Sequence, residues 1–210
     1  MNDRGHRYAD DAVTLTNYTS HNPIIRLLLR NFMKRICHLL NEINANQLYG
    51  LDAGCGEGHL LAYLYKQGIP GRIVAVDLDE RKLRYARKHY PYCEYKNGNI
   101  QSLPFADNTF DYVLTTEVFE HLPEPEKALS EIRRVAKPGA QLVISVPFEP
   151  FFHWGNLVRG LYWERGGRTP DHLNFWHPNE FRQFLSTHIT ISDQYLMNTF
   201  PWLLIAGRFK

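Results

Sequence analysis

Residues 49–60 read Y-G-L-D-A-G-C-G-E-G-H-L, and this stretch decides how the rest of the chain is interpreted. An apolar approach ends at Asp52, glycines follow at Gly54, Gly56 and Gly58, and a helix-like run comes next. That order predicts a β-strand, a tight glycine loop and the start of a helix. Because glycine has no Cβ, a ligand can approach the backbone of such a loop closely.

The composition of the whole chain is ordinary for a globular protein, with 44% hydrophobic and 22% charged residues. A length of 210 residues suits one well-filled domain and is short for two. The net charge of +2 argues neither for nor against nucleic acid. Three scattered cysteines indicate no zinc site or disulfide framework, so a cytoplasmic setting is expected. We find no signal-peptide core and no apolar run long enough to span a bilayer.

Strand-like and helix-like segments alternate after the glycine loop. Strands are predicted to end at Asp52 and to cover residues 72–77, 94–95, 111–115 and 141–146, with helices over 58–67, after the cap Asp79 and over 125–137. This rhythm predicts an α/β fold in which helices cover both faces of a parallel sheet. Ligands of such sheets bind beyond the carboxyl ends of the strands.

The two flanks of this α/β region differ from it in composition. Residues 1–20 form a polar arm, and Asn22-Pro23 begins an amphipathic helix, so residues 1–45 are predicted to pack on a ligand-binding domain of residues 46–210. Residues 147–178 are rich in aromatics, proline, glycine and histidine, and are interpreted as an insertion after the fifth strand. A short helix over 178–185 and strands over 189–195 and 200–205 are predicted to complete the chain.

The glycine loop differs from the dinucleotide fingerprint G-x-G-x-x-G, whose third glycine position is occupied here by His59. A carboxylate at Asp52 would oppose a pyrophosphate and suits a ligand with positive charge, such as S-adenosylmethionine. Asp77 ends the second strand, where its carboxylate can accept both ribose hydroxyls. NAD and S-adenosylmethionine share that requirement, so an NAD-dependent oxidoreductase remains an alternative.

Several motifs together resemble the class I S-adenosylmethionine-dependent methyltransferases, in particular their type 11-like members. These motifs are L-D-A-G-C-G-E-G, V-A-V-D-L-D, T-T-E-V-F-E-H-L and I-R-R-V-A-K-P-G, within residues 48–147. The resemblance implies a Rossmann-like three-layer sandwich with a mostly parallel seven-stranded sheet and an antiparallel last strand.

The resemblance also implies how S-adenosylmethionine would be held. Asp77 would bind the ribose, Leu78 and Ile100 would enclose the adenine, and the glycine loop would line the methionine portion. Asn99 stands where the family commonly has an aspartate, and its amide oxygen can accept the same hydrogen bond from the adenine amino group. The predicted cofactor-binding residues are Asp52, Ala53, Gly54, Gly56, Gly58, Asp77, Leu78, Asn99, Ile100 and Thr116.

The candidate acceptor side is the cluster Glu117, Glu120 and His121, whose spacing would place all three on one face if a helix begins there. With His172 as a fourth ligand, these residues are predicted to bind a divalent cation such as Mg²⁺ or Mn²⁺. The combination resembles small-RNA 3′-terminal 2′-O-methyltransferases and ubiquinone-biosynthesis O-methyltransferases. In such sites the metal acidifies a hydroxyl acceptor. Without a metal, His121 or His172 would act as a general base, and a purely structural role is the alternative.

The predicted function is therefore methyl transfer from S-adenosylmethionine, favoured on an oxygen of a small-molecule acceptor and open to metal assistance. RNA as the acceptor is an alternative that the near-neutral charge does not favour. A catalytically silent S-adenosylmethionine-binding protein is another. Whether aromatics such as Phe151, Trp154 and Trp176 form a substrate pocket or pack as core stays open. The sequence predicts no oligomeric state.

Overall fold

The computed structural model describes residues 22–69, 71–158, 163–191 and 200–210, and the predicted arm at residues 1–20 lies outside them. The helices are α1 Pro23–Glu42, α2 His59–Lys66, α3 Glu80–His89, α4 Pro125–Val135, α5 Glu149–Val158 and α6 Pro178–Ser186. The strands are β1 Tyr49–Ala53, β2 Arg72–Asp77, β3 Glu94–Asn97, β4 Phe110–Thr116, β5 Ala136–Pro147, β6 Ile189–Ile191 and β7 Trp202–Phe209. Short 3₁₀ helices cover Ala45–Gln47, Phe119–His121 and Trp163–Arg165.

The strands form a seven-stranded sheet in the order β3-β2-β1-β4-β5-β7-β6. Strands β1 to β5 pair in parallel, and β7 runs antiparallel to both β5 and β6. This arrangement confirms the predicted fold class, including the antiparallel last strand. The continuous apolar run in β2 reflects burial on both faces of the sheet, because Val74 and Val76 pack on one face and Ile73 and Ala75 pack on the other.

Helices cover both faces of this sheet and complete the three layers. Helices α1, α2 and α3 bury residues such as Phe32, Leu61 and Leu83 against one face. Helices α4 and α6 bury residues such as Ile132 and Phe181 against the other. None of the described helices has the length and the apolar character that crossing a bilayer requires.

Two predicted helix starts are confirmed by their caps. The Asn22 side-chain oxygen accepts a hydrogen bond from the Ile24 backbone N–H at 2.9 Å, with Pro23 at the first helical position. Asp79 Oδ1 accepts from the Arg81 backbone N–H at 2.8 Å. Each cap satisfies a donor that the first turn of a helix leaves unpaired.

The C-terminal strands depart from the predicted boundaries. Strand β7 runs on from Trp202 to Phe209, beyond the predicted end at residue 205. Of the strand predicted over 189–195, residues 189–191 form β6, and residues 192–195 lie outside the described residues. Gly207, which weakens a strand prediction, is required inside β7, because a Cβ there would lie 2.7 Å from the Thr190 carbonyl oxygen of β6.

The aromatic segment after β5 has both a packed part and an exposed part. It contains α5, a helix that the sequence analysis did not predict. Trp176 packs against Phe181 and Phe184, with ring centroids 5.1 and 5.0 Å apart, and so belongs to the core. Phe151 and Trp154 on α5 are 47% and 69% exposed, so these rings remain available to a ligand.

Candidate functional site

The candidate site lies where the strand order reverses, at the carboxyl ends of β1, β2 and β4. A cleft of about 550 Å³ opens there. Its lining includes Asp77 and Leu78 from the end of β2, and His121 and Asp171 from segments that follow β4 and α5. Two predicted cofactor residues, Asp77 and Leu78, and one residue of the predicted acceptor cluster, His121, therefore line the same cleft, as the topology of an open parallel sheet favours.

The glycine loop is held to the end of β2 by hydrogen bonds that its backbone N–H groups donate. The Gly54 N–H donates to the Val76 carbonyl oxygen at 2.7 Å, and the Gly56 N–H donates to Asp77 Oδ2 at 2.8 Å. Gly54 and Gly56 have φ of +93° and +53°, a region that side chains disfavour. A Cβ on Gly56 would meet no atom within 4 Å, so the bare backbone faces open space.

Asp77 fixes the geometry of the turn that follows β2. Its Oδ1 accepts from the Asp79 backbone N–H at 2.8 Å, and Asn97 Nδ2 donates to the Leu78 carbonyl oxygen at 2.9 Å. Each carboxylate oxygen has a further lone pair to offer, so the ribose role predicted for Asp77 remains open to it. The Leu78 side chain is 70% exposed, which leaves its apolar surface uncovered at the cleft.

The other predicted cofactor residues lie at the ends of the neighbouring strands. Asn99 is exposed, and its Oδ1 accepts from the Gln101 backbone N–H at 2.9 Å, whereas Ile100 is buried. Ala53 is fully buried at the end of β1, and Thr116 is half-buried at the end of β4. The cofactor-binding roles of these residues stay predictions.

Asp52 is a buried carboxylate without a cationic partner among the described residues. It is 2% exposed, and its Oδ1 has no hydrogen-bond partner in the described part of the chain. Burial raises the pKa of Asp52 to about 8, and the negative charge of Asp77 contributes to that rise. A positively charged ligand beside Asp52 would favour its ionised form. The observation fits a cationic methyl donor better than a pyrophosphate.

The segment after β4 does not form the α-helix on which the shared-face prediction depended. Glu117 has φ +56°, and a 3₁₀ helix covers only Phe119–His121. The backbone of Glu120 is nevertheless fixed in position, because its carbonyl oxygen accepts from the N–H groups of Leu173 and Asn174, at 2.7 and 3.0 Å. These bonds bring the segment that carries His172 against the 3₁₀ helix.

Three of the four predicted metal-binding residues converge. Glu120, His121 and His172 each offer one ligand atom, and these atoms lie within 4.8 Å of one another. Glu117 is outside this set, and its Oε1 accepts from Ser145 Oγ at 3.0 Å. Three residues selected from the sequence therefore lie close together in the fold, and their role as metal ligands stays a prediction. Tertiary contacts with residues 171–174, and not a helix face, bring the set together.

The carboxylates of this cluster are buried with little to compensate their negative charge. Burial raises the pKa of Glu117 to about 8, with the nearby Glu149 contributing. Burial and the charge of Glu117 raise the pKa of Glu120 well above its ordinary value. Glu120 Oε2 is buried and has no hydrogen-bond partner among the described residues. Buried carboxylates in this state are stabilised by a cation that replaces their lost hydration.

Sequence reasoning missed Glu149 and His153, which border the cluster from α5. Glu149 is 1% exposed, and its Oε1 lies 2.5 Å from His172 Nδ1. Its Oε2 lies 3.0 Å from His153 Nε2, and burial lowers the pKa of His153. Only its position in the sequence could have indicated Glu149 as a site residue, because it follows closely after β5 at the carboxyl edge of the sheet.

A methyltransferase domain family model matches residues 51–144 of the chain. A Mycolicibacterium smegmatis protein described as a probable S-adenosylmethionine-dependent methyltransferase is 35% identical over 100 residues, covering 46% of this chain and 37% of that protein. The malonyl-(acyl-carrier protein) O-methyltransferase of Erwinia pyrifoliae is 33% identical over 166 residues, covering 78% of this chain and 60% of that protein. The chain thus spans less than two thirds of either relative.

The fold has solved counterparts as well. The crystal structure of a Pyrococcus horikoshii protein superposes with a TM-score of 0.71 at 20% identity, covering 90% of this chain and 93% of that one. At this level of identity the likeness concerns the fold alone. It agrees with the sheet order and the three layers described above.

Proposed function

Since the chain belongs to the class I S-adenosylmethionine-dependent methyltransferase family, we propose that it transfers the methyl group of S-adenosylmethionine to an oxygen of a small-molecule acceptor. The proposal includes a divalent cation at Glu120, His121 and His172. The observation that carries it is the convergence of these three ligand atoms within 4.8 Å, with His121 lining a cleft that Asp77 and Leu78 also line.

The cofactor part of the proposal rests on the fit between the loop and a cationic nucleoside. When bound, S-adenosylmethionine supplies a sulfonium-activated methyl group and an adenosine ribose. Asp77 offers acceptor oxygens to the ribose hydroxyls, Leu78 offers an uncovered apolar face to the adenine, and Asn99 offers an amide oxygen to the adenine amino group. Asp52 supplies the buried negative charge that a cationic ligand complements.

The metal part rests on the donor set. Imidazole and carboxylate donors suit Mn²⁺ and other divalent first-row ions. Two of these donors are already oriented, because His121 Nδ1 lies 3.0 Å from the Asp171 carbonyl oxygen and His172 Nδ1 lies 2.5 Å from Glu149 Oε1. Each ring therefore turns its Nε2 away from those acceptors. A divalent cation in such a site favours the deprotonation of a hydroxyl group.

The acceptor class is inferred from this chemistry. A hydroxyl acceptor must lose a proton, which gives a metal or a histidine base a purpose, whereas positioning alone can suffice for a carboxylate or another nucleophile without such a proton. The similarity to an O-methyltransferase that acts on malonyl-(acyl-carrier protein) supports an oxygen acceptor. The exposed rings of Phe151 and Trp154 would favour an acceptor with an apolar or ring-shaped part.

Calorimetry with S-adenosylhomocysteine and NADH tests the cofactor assignment. We expect micromolar binding of S-adenosylhomocysteine and no binding of NADH. The opposite pattern would replace the methyltransferase proposal with the oxidoreductase alternative. Binding of S-adenosylhomocysteine without turnover on any acceptor would favour a catalytically silent protein.

A methyl-transfer assay with and without Mn²⁺ tests the metal site. Its acceptors should include a catechol, an acyl carboxylate and the 3′-terminal ribose of a short RNA. We expect Glu120→Gln and His172→Ala to weaken Mn²⁺ binding by at least about 100-fold. Glu124→Gln is the matched control, because Glu124 is an exposed neighbour paired with Lys127. Full turnover by both variants in the presence of EDTA would contradict the metal site.

Glu117 enters the same test as the predicted fourth ligand. Its carboxylate accepts hydrogen bonds from Ser145 and Trp202, so Glu117→Gln should weaken Mn²⁺ binding less than Glu120→Gln does. An equal loss in both variants would place Glu117 among the ligands. No loss would leave it a neighbour whose charge acts on Glu120.

A further inference from the structure

Glu149 is a buried carboxylate that joins two histidines behind the proposed metal site. It lies in the first turn of α5 and is 1% exposed. Its two oxygens divide between the rings: Oε1 lies 2.5 Å from His172 Nδ1, and Oε2 lies 3.0 Å from His153 Nε2. A buried carboxylate is costly unless hydrogen-bonded groups compensate it, so this arrangement requires a physical reason.

The contact with Glu149 determines which nitrogen of His172 can bind a metal. An ionised carboxylate only accepts hydrogen bonds, so the proton of a neutral His172 ring lies on Nδ1 and the lone pair lies on Nε2. His121 follows the same rule, since the carbonyl oxygen that its Nδ1 contacts at 3.0 Å also only accepts. His121 Nε2 lies 3.8 Å from Glu120 Oε1, and the same rule leaves an unprotonated Nε2 on His172 as its available ligand atom. This is the arrangement by which outer carboxylates and carbonyls orient histidine ligands.

The helix that carries Glu149 is fixed to the segment that carries His172. Asn156, buried on the same helix, donates from Nδ2 to the Gly167 carbonyl oxygen at 2.9 Å and to Thr169 Oγ1 at 3.4 Å. Gly167 itself approaches α5 so closely that a Cβ would lie 2.3 Å from the His153 carbonyl oxygen. Glu149 and His172 are therefore held at a defined separation by contacts outside the cluster.

We propose that Glu149 is the positioning residue of the metal site: it holds His172 in the tautomer and orientation that present Nε2 to the cation, and His153 steadies Glu149 from the opposite side. This inference rests on the proposed function, because it assumes the metal at Glu120, His121 and His172. It assigns no contact with the acceptor to Glu149.

The first measurement is the Mn²⁺ affinity of the full chain, determined by electron paramagnetic resonance. We expect Glu149→Ala to weaken the affinity by about 10- to 100-fold. Glu149→Gln keeps an oxygen that can accept from His172 Nδ1 and should lose less, about 10-fold. Glu164→Ala is the matched control, because Glu164 is an exposed glutamate of the same segment. S-adenosylhomocysteine affinity should be unchanged in all three variants.

The second measurement needs no metal. Nitrogen-15 shifts of the His172 ring in the metal-free protein report which nitrogen carries the proton. We expect the Nδ1–H tautomer in the wild type and in Glu149→Gln, and a shift towards Nε2–H in Glu149→Ala. A residue that only stabilised the fold would lower the melting temperature without moving this tautomer.

The outcomes separate the two proposals. If the wild type binds no Mn²⁺, the metal part of the proposed function fails, and the ring shifts still decide whether Glu149 orients His172. If the wild type binds Mn²⁺ and Glu149→Ala or Glu149→Gln binds it equally well, the positioning role is overturned and the metal site stands. If Glu149→Ala does not fold, Glu149→Gln decides by the same comparison.

Discussion

The two sides of the cleft are built by different means. On the proposed cofactor side, the predicted binding residues lie in short segments directly after β1, β2 and β3, and backbone N–H donors hold Asp77 in place. On the acceptor side, side chains from a 3₁₀ helix, from α5 and from residues 171–174 are brought together across long stretches of chain. The first side is a local arrangement, and the second is a tertiary one.

The two sides also share one electrostatic property. Each buries carboxylates for which the described residues provide no lysine or arginine partner: Asp52 on the cofactor side, and Glu120 and Glu149 on the acceptor side. Buried carboxylates are favoured only when a cation or several donors compensate them. The comparison suggests a different cation for each side, namely the methyl donor for Asp52 and a metal ion for Glu120.

The largest expected effect tests the cofactor side alone. Asp77→Ala removes the carboxylate that accepts from the Gly56 and Asp79 N–H groups, and with it the proposed acceptor of the ribose hydroxyls. Two charge-assisted hydrogen bonds to a ligand predict a loss of about 10³-fold in S-adenosylhomocysteine affinity, measured by calorimetry. Mn²⁺ affinity should change far less, because Asp77 is not one of the three residues whose ligand atoms converge. The control is Asp107→Ala, an exposed aspartate paired with Arg134.

A second prediction tests where the two sides touch. A Cβ on Gly54 would lie 2.3 Å from Val118 Cγ2, next to the acceptor cluster. Gly54→Ala should therefore destabilise the fold by about 3 kcal/mol, from overpacking and from its φ of +93°. It should also weaken Mn²⁺ binding, because Val118 lies between Glu117 and the 3₁₀ helix.

The double variant Gly54→Ala/Val118→Ala separates these causes. Removing the Val118 methyl groups should restore part of the stability and leave only the strain of the positive φ. Gly56→Ala is the matched comparison, since its Cβ would meet no atom within 4 Å and should cost only about 1 kcal/mol. Equal losses for Gly54→Ala and Gly56→Ala would show that the contact with Val118 is unimportant.

The contrast between a local and a tertiary arrangement also explains which features could be predicted from the sequence. The glycine loop, Asp77 and the cap Asp79 were identified because each acts within a few residues of a strand end, where spacing determines geometry. The seven-stranded sheet and its antiparallel last strand were expected from the family resemblance. These local and family-level features account for the confirmed fold, and the cofactor-binding role of these residues stays a prediction.

The acceptor side was predicted less well for a physical reason. The positive φ of Glu117 removes the helix on which its spacing argument depended, and no periodicity in the sequence reveals that angle. Glu149 was missed because its role arises only when α5 and residues 167–172 pack together. Contacts between segments distant in sequence leave no local pattern to read.

A third prediction concerns the buried charge of Asp52. Its pKa of about 8 in the folded chain lies above the ordinary value of 3.8, so the folded state retains a proton that the unfolded state releases. The stability of the ligand-free protein should therefore fall as the pH rises from about 4 to about 8. Asp52→Asn removes this loss, so its melting temperature should exceed that of the wild type by an amount that grows across this range.

Ligand binding gives the complementary result for Asp52. If its charge complements a cationic methyl donor, Asp52→Asn should weaken S-adenosylmethionine binding by about 10-fold, which corresponds to about 1.4 kcal/mol. A stabilised variant with unchanged affinity would remove Asp52 from the cofactor side. The pair of measurements thus distinguishes a group retained for binding from one that merely destabilises the core.

The smallest expected effect concerns Leu78, whose side chain is 70% exposed and lines the cleft. Leu78→Ala should leave the melting temperature nearly unchanged, because exposed positions typically contribute within about 0.5 kcal/mol. If the adenine covers this side chain, the loss of apolar contact should weaken S-adenosylhomocysteine binding by about 3- to 10-fold, measured by calorimetry. Leu173→Ala provides the control, since Leu173 is also exposed, at 58%, but belongs to the acceptor side. A loss of affinity in Leu173→Ala as large as that in Leu78→Ala would mean that the adenine extends across the cleft and that the two sides are not separate.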